Sequence, residues 1–502
     1  MRRDMLVDTV VAVLLLAFSI YVFTSQAEWF YTEEINRGGK GYVSDEVWYV
    51  GTARVILVRV FGVWPKPAYE WYGATLVFND SAKPNHALLS QLASKHNVTI
   101  VYYYTKLNGA YVNGSYSNIV AFLRDLENAK DPWITGFIPG WPLPDQKNMF
   151  NYFNLEHPPL GKYVIAATIA LIGDSPVLWR IPIVAAGAIT IVLLYLTLVE
   201  LTHRRLVGLL IGVLATIDPL AKTLFSIELL DGYVALTTVI AMYLVAKRRY
   251  RPAFLAGLIG GLFKMSGLFV LIPVSVVILR QKLKSDKSFQ FFAYSTSSTI
   301  LSAIILYVVA LSVSSLPLIL YRGFSTWIDE GLIGPLGWHL SVKCTANCPP
   351  VSAPWDWFLG TNSFILFYSS KGLGVEAAGL YPVWLATLML TFLLLPSACR
   401  KSRLLALSSL FLLGVFSGYL LIWILGGRTQ YSFYSIQLEP LVYISLGTLV
   451  FAAVDKQELY LYSINAWARV LRPAKWILDK LLRILHRTWV KFADLLTSSL
   501  EA

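Results

Sequence analysis

Charge is scarce in this chain: Asp, Glu, Lys and Arg make up 14% of its 502 residues, against 56% hydrophobic. No water-soluble surface could be assembled from that mixture. Cysteine is scarcer still, with three residues, so neither a disulfide framework nor a zinc ribbon supports the fold. Short segments of alternating hydrophobicity do not recur, which excludes a membrane barrel. What the chain has in quantity is long apolar runs, from Leu6 to Val454. Spanning ~30 Å of hydrocarbon takes roughly 20 such residues in a helix. The fold class is therefore an all-α polytopic membrane protein of about ten transmembrane helices.

The net charge of +12 does not point to nucleic acid, because the basic residues flank apolar spans. Clusters at Arg2-Arg3, His203 to Arg205, Lys247 to Arg251, Arg280 to Lys287 and Arg400 to Arg403 are cytoplasmic by the positive-inside rule. The stretch 252–279 is basic at both ends and too short for two ordinary crossings. A broken hairpin of two half-helices meeting near Lys264 resolves this, with Gly257, Gly260 and Gly261 allowing close backbone contact. The expected spans are 6–25, 181–201, 206–222, 230–246, 253–263, 267–280, 290–313, 377–396, 404–425 and 432–453. Both termini are then cytoplasmic, in a plasma-membrane or ER-type bilayer. The N-terminus has no small-residue cleavage site and reads as an uncleaved first span. Loops 26–180 and 314–376 are external. The glycosylation sequons at Asn79, Asn97 and Asn113 all fall in the first of them. Cys344 and Cys348 (CTANC) share the second, where a disulfide is open to them.

Four regions follow: 1–62, a first helix and the start of the external loop; 63–147, a soluble insert; 148–454, the membrane core; and 455–502, a basic tail. The insert reads β-α-β-β-α-β, over Ala74–Asn79, His86–His96, Val98–Lys106, Ala110–Asn113, Ser117–Ala129 and Trp133–Ile138. That order predicts a small α+β, ferredoxin-like domain. Its run VTIVYYYTKLNGAYVNGSYSNIVAFL resembles, in fold only, the propeptide-type inhibitor domains of subtilisin-like proteases. In the tail, Lys475, Asp479, Arg483, Arg487 and Lys491 repeat every four residues beside Trp476, Ile477, Leu481 and Ile484. This is an amphipathic interfacial helix suited to an anionic leaflet.

Ionisable residues in apolar surroundings are functional candidates. Asp45 and Glu46 head an apolar segment just outside the first span; an acidic pair there also suits a helix N-terminus. Glu156-His157-Pro158-Pro159-Leu160-Gly161-Lys162 closes the same loop. Its prolines fix the backbone, and His157 and Lys162 can present donors to an anion.

HPPLGK, preceded upstream by an acidic pair, resembles the protein O-mannosyltransferases of the GT-C glycosyltransferase superfamily. WRIPIVAAGAITIVLLYLTL, IDPLAKTLFSIELLDGYVAL, FLAGLIGGLFKMSGLFVLIP, SAPWDWF and GGRTQYSFYSIQLEPLVY resemble that family's successive segments in order. Ile227-Glu228 departs from it, standing where such enzymes often carry an arginine. The resemblance implies a dolichyl (polyprenyl) phosphate sugar donor, with mannose moved to a protein Ser/Thr hydroxyl on the external or luminal face. It assigns the catalytic base to Asp45, with Glu46 positioning beside it. One carboxylate and phosphate-holding cations suffice, because a phosphate leaving group needs no general acid. Direct displacement inverts the anomeric centre.

Lys264 and Arg428, with His157 and Lys162 nearby, are the expected phosphate ligands. The alternatives for Lys264 and Arg428 are snorkelling, or pairing with Glu228, Asp231 or Glu439. Asp218 and Asp231 read as structural. Trp355, Asp356 and Trp357 either cover a sugar or acceptor or belong to an interfacial aromatic belt. No His/Asp cluster demands a metal; a divalent ion stays open, since some GT-C enzymes use one. Two other functions remain: a related enzyme glycosylating a lipid or glycan, and a transporter. The transporter would carry inverted repeats, which are not visible here.

Overall fold

The computed structural model describes residues 2–341 and 349–498, so Cys344 and Cys348 lie outside the described part. The chain opens with α1 (Arg2–Asn36) and α2 (Glu46–Arg59). Next comes a small α+β unit of β1 (Trp71–Phe78), α3 (His86–Lys95), β2 (Thr99–Tyr103), β3 (Gly109–Ser115), α4 (Tyr116–Ala129) and β4 (Ile134–Pro139). Its strands form one antiparallel sheet in the order β2-β3-β1-β4, with Leu76 of β1 opposite both Ala110 and Phe137. Leu89 and Leu92 of α3 and Ile119, Phe122 and Leu123 of α4 bury against Leu76 and Val112 of the sheet. Asn85 and Ser115 start these two helices with side-chain caps.

The rest is mainly helical. α5 (Leu160–Leu171), α6 (Ile181–Thr202), α7 (Arg205–Ile217), α8 (Pro219–Leu224), α9 (Leu230–Ala246), α10 (Tyr250–Phe263), α11 (Leu271–Lys282) and α12 (Phe289–Ser314) follow in turn. Short helices α13 (Leu316–Arg322), α14 (Phe324–Trp327), α15 (Gly334–Leu340) and α16 (Asp356–Leu359) precede a two-stranded ribbon, β5 (Ile365–Tyr368) and β6 (Gly374–Glu376). The chain ends in α17 (Tyr381–Leu393), α18 (Leu395–Arg400), α19 (Arg403–Ile424), α20 (Glu439–Asp455) and α21 (Glu458–Ser498).

Among the described residues, five helices are long and apolar enough to cross a membrane: Leu6–Asn36, Ile181–Thr202, Met265–Lys282, Phe289–Ser314 and Arg403–Ile424. With so few charges elsewhere, the chain is an integral membrane protein. Several other expected spans come out shorter, such as α7 and α17 at 13 residues and α20 at 17, whereas α9 keeps the expected bounds 230–246. Proline explains two of the interruptions. Pro219 restarts the chain as α8 after α7, and Pro396 is the second residue of α18, which follows α17 directly.

The core sits where α6 packs on α1, α7 and α9, with α20 covering α6 and α7. Lipid supplies no hydrophobic drive between helices, so close contact does the holding. Gly187 of α6, for instance, lies directly against the Phe225 ring. A second close approach shapes the site. α10 stops at Phe263, Lys264 is fully extended (φ −156°, ψ 141°), and Met265–Val270 turns back as a 3₁₀ segment against α10. A Cβ on Gly267 would collide with the Gly260 backbone there.

Candidate active site

α2 is gripped from both sides, by the sheet-bearing unit and by α5, which fixes the direction of its first turn. Arg54, fully buried, donates to both oxygens of Asp174 (2.8 and 2.6 Å) and to the Tyr42 hydroxyl (2.8 Å). Glu46 is equally buried. Its Oε1 accepts from Arg180 Nε (2.7 Å) and the Glu228 amide (2.8 Å); Oε2 accepts from Arg180 Nη2 (2.5 Å) and the Val43 amide (2.8 Å). Both oxygens are therefore occupied, and Glu46 ties α2 to the start of α6 and the loop before α9.

Its neighbour is free. Asp45 occupies the N-cap of α2 but makes no capping bond, and no hydrogen-bond or ion-pair partner meets its half-buried carboxylate among the described residues. The capping role open to it is not taken. Burial lifts its pKa from the ordinary aspartate value to about 6; the Asp231 charge adds to the rise and the Lys264 charge opposes it. Asp45 is thus within electrostatic reach of the Lys264 turn, 219 residues on by subtraction.

The Lys264 ammonium is nearly buried and lies 2.8 Å from each oxygen of Asp231. The same nitrogen sits 3.9 Å from the centre of the Tyr434 ring. So Lys264 does pair with an acid, one of the alternatives open to it, and Lys264 itself lines a cavity. That cavity, about 290 Å³, is lined by Lys264, Leu268, Phe269, Tyr419, Ile422 and Tyr434, with Gly427, Thr429 and Gln430 at its polar side. Apolar walls with one charged end suit an amphiphile.

HPPLGK lies beside the same group. His157 is buried, with its ring edge-on to Tyr49 at 5.7 Å, and Tyr49 feels the charges of both Asp45 and Asp231. Lys162 does something other than the anion binding expected of it. Its ammonium is fully buried and donates to the carbonyls of Asn154 and His157 (2.7 Å for the latter), so it staples the turn from within. Glu156 is held by the Tyr152 hydroxyl and Asn154.

The remaining candidates divide. Arg428 is exposed between Gly427 and Thr429, two residues of the cavity rim, and no acid pairs with it among the described residues. Trp357 donates to Ser352 Oγ (2.8 Å) and packs edge-on to Tyr419 at 4.9 Å, one residue removed from the cavity. Asp356 is turned to its own loop, accepting from the Ala353 amide and Asn362. Trp355 is half exposed against Trp423. Asp218 is enclosed by four donors, including Trp384 Nε1 and the Tyr443 hydroxyl. Glu439, also buried, has a hydrogen-bond partner on neither oxygen among the described residues. No three His, Cys, Asp or Glu side chains converge as a metal set among the described residues.

Sequence reasoning did not single out Arg180, Tyr434, Tyr49 or Tyr419. A buried arginine at the mouth of an apolar span was itself a signal for Arg180.

Crystal structures of ArnT from Cupriavidus metallidurans, bound to undecaprenyl phosphate and in the apo state, are similar at 12% and 13% identity. Each comparison has a TM-score of 0.39 and covers 63% of this chain and 53% of that one, so the chain spans about half the length of the structures it matches. No curated protein matches it. Residues 156–312, which carry HPPLGK, Arg180, Asp231 and the Lys264 turn, match the dolichyl-phosphate-mannose-protein mannosyltransferase family.

Proposed function

We propose that the chain is a membrane glycosyltransferase of GT-C type. It moves a sugar, mannose by the family description, from a polyprenyl (dolichyl) phosphate to a Ser/Thr hydroxyl of a protein, on the external or luminal face. The observation that carries this reading is the unpartnered Asp45 carboxylate beside a lysine at the end of an apolar cavity.

Asp45, poised near pH 6, takes the proton of the acceptor hydroxyl as its oxygen attacks the anomeric carbon. The bond from that carbon to the phosphate oxygen breaks, and the electron pair leaves with the phosphate. The sugar is inverted. Lys264 has three N–H donors, and Asp231 holds the ammonium under Tyr434 while leaving one for a phosphate oxygen. The apolar walls, Leu268, Phe269 and Ile422, receive the first isoprene units, and exposed Arg428 meets the phosphate from the rim. His157 sets Tyr49 beside the base, and Lys162 and Glu46 hold the two loops in place. The α+β unit, residues 63–147, covers the acceptor approach, with Trp355 and Trp357 on the other side.

The test is incubation of the purified full-length protein with labelled polyprenyl phosphate sugars and with peptide, glycan and lipid acceptors, read by mass spectrometry. Labelled peptide with released polyprenyl phosphate supports the reading. Transfer to lipid or glycan only refutes the protein acceptor, and no release of polyprenyl phosphate with any acceptor refutes the enzyme.

A further inference from the structure

A second hollow, larger than the one at Lys264, lies elsewhere among the helices. A cleft of about 840 Å³ opens between α11, α18 and α19, at the ends of these helices that point away from Asp45. The separation follows from α19, whose first residue Arg403 lines the cleft while Tyr419 lines the cavity at Lys264. Sixteen residues of helix put roughly 24 Å between them.

The mouth of this cleft holds five cationic side chains, Arg280, Lys284, Arg400, Lys401 and Arg403, and its lining contains no acid. None of the five has a carboxylate partner among the described residues. Two are engaged otherwise: Arg403 donates to the Ala246 carbonyl at 3.1 Å, and the Lys401 ammonium lies 5.3 Å from the centre of the Tyr462 ring. Five like charges around one hollow repel one another, and the fold gains nothing from that by itself. Deeper in, the walls turn apolar, through Val276, Val277, Leu410 and Leu413 to Gly414. A basic mouth over an apolar slot, set at the end of membrane-crossing helices, matches a molecule with an anionic head and acyl chains.

We infer that this cleft is a binding site for an anionic phospholipid, its phosphate among Arg280, Lys284, Arg400 and Lys401 and a chain lying along Val276 and Leu413. The rim is built to stay in place. α21 clamps α18: Ser463 Oγ donates to Ser397 Oγ (2.8 Å) and accepts from the Ser397 amide (3.1 Å), and Ser397 Oγ donates to the Leu459 carbonyl. Trp467 Nε1 donates to the Leu393 carbonyl at 2.9 Å. The tail helix, itself basic along much of its length, therefore leads the same leaflet's anionic lipids to the cleft. This site is independent of sugar transfer and stands or falls without it.

A natural reporter sits inside: Cys399 is exposed, unbridged and part of the lining. The experiment uses full-length protein in mixed micelles and reads the rate of Cys399 alkylation by N-ethylmaleimide, located by peptide mass spectrometry. Phosphatidylglycerol or cardiolipin should slow alkylation severalfold, and phosphatidylcholine of the same chains should not. The triple variant Arg280→Gln, Lys284→Gln, Lys401→Gln should need about a hundredfold more anionic lipid for the same protection, at about fivefold for each cation. Equal protection by phosphatidylcholine, or none by either lipid, overturns the site in the unaltered protein, whether or not the variant folds. Protection by inorganic phosphate at matching concentration overturns its assignment to a lipid.

Discussion

Glu46 and Arg180 lie 134 residues apart and meet as a fully buried, doubly bonded ion pair. Replacing Glu46 by Gln keeps the shape and one acceptor oxygen but removes the charge, which strands a guanidinium in an apolar interior. Breaking such a pair from one side costs about 3–5 kcal/mol. Of a total stability on the order of 5–15 kcal/mol, that is a large share. Arg180→Met strands the carboxylate and should cost a similar amount, although Val43 and Glu228 still donate to it. The double variant removes both charges and should be less destabilised than the sum by about 3 kcal/mol. Equilibrium denaturation in detergent measures all three. The reasoning is refuted if Glu46→Gln unfolds within about 0.5 kcal/mol of the unaltered protein, the range of an ordinary surface change. It is equally refuted if the two single effects simply add.

The base assignment predicts a pH profile. Asp45 must be ionised to accept a proton, so kcat/KM should rise tenfold per pH unit up to about pH 6 and level off above it; a limb centred near pH 4 would contradict the burial that raises this group. Lys264→Gln should weaken polyprenyl phosphate binding about tenfold to a hundredfold, as expected for a lost hydrogen bond to a charged group; unchanged affinity in an equilibrium binding assay would remove Lys264 from the phosphate site. Gly267→Ala, forced against the Gly260 backbone, should destabilise by about 1–3 kcal/mol and displace the Lys264 turn. Normal melting together with normal donor affinity in that variant would show that the turn tolerates a Cβ.

How much of this was legible depended on whether a local signal existed. The break at Lys264 was visible, because a segment basic at both ends and too short for two spans has few other solutions; α10 ends at Phe263 and the next segment starts at Met265. Helix lengths were less legible, since apolar composition runs on through Pro219 and Pro396 while the helix does not. Lys162 reads from the string as a donor for an anion, because its type and its place after HPPLG say nothing of what surrounds its ammonium. Only the folded turn shows two carbonyls closing on it. The partition of work within Asp45-Glu46 was invisible as well. Adjacent acids look alike in a string, and what separates them is Arg180, far along the chain, claiming one and leaving the other bare. Likewise Asp231 looked structural, and it is paired, but its partner is the cation of the site itself.

The most direct measurement compares Asp45→Asn with the unaltered protein in the labelled-donor transfer assay, together with donor binding on the same samples. The account predicts loss of transfer by at least about a hundredfold, the lower range for a positioned base, with donor affinity and melting unchanged. Transfer at the normal rate by Asp45→Asn would contradict it.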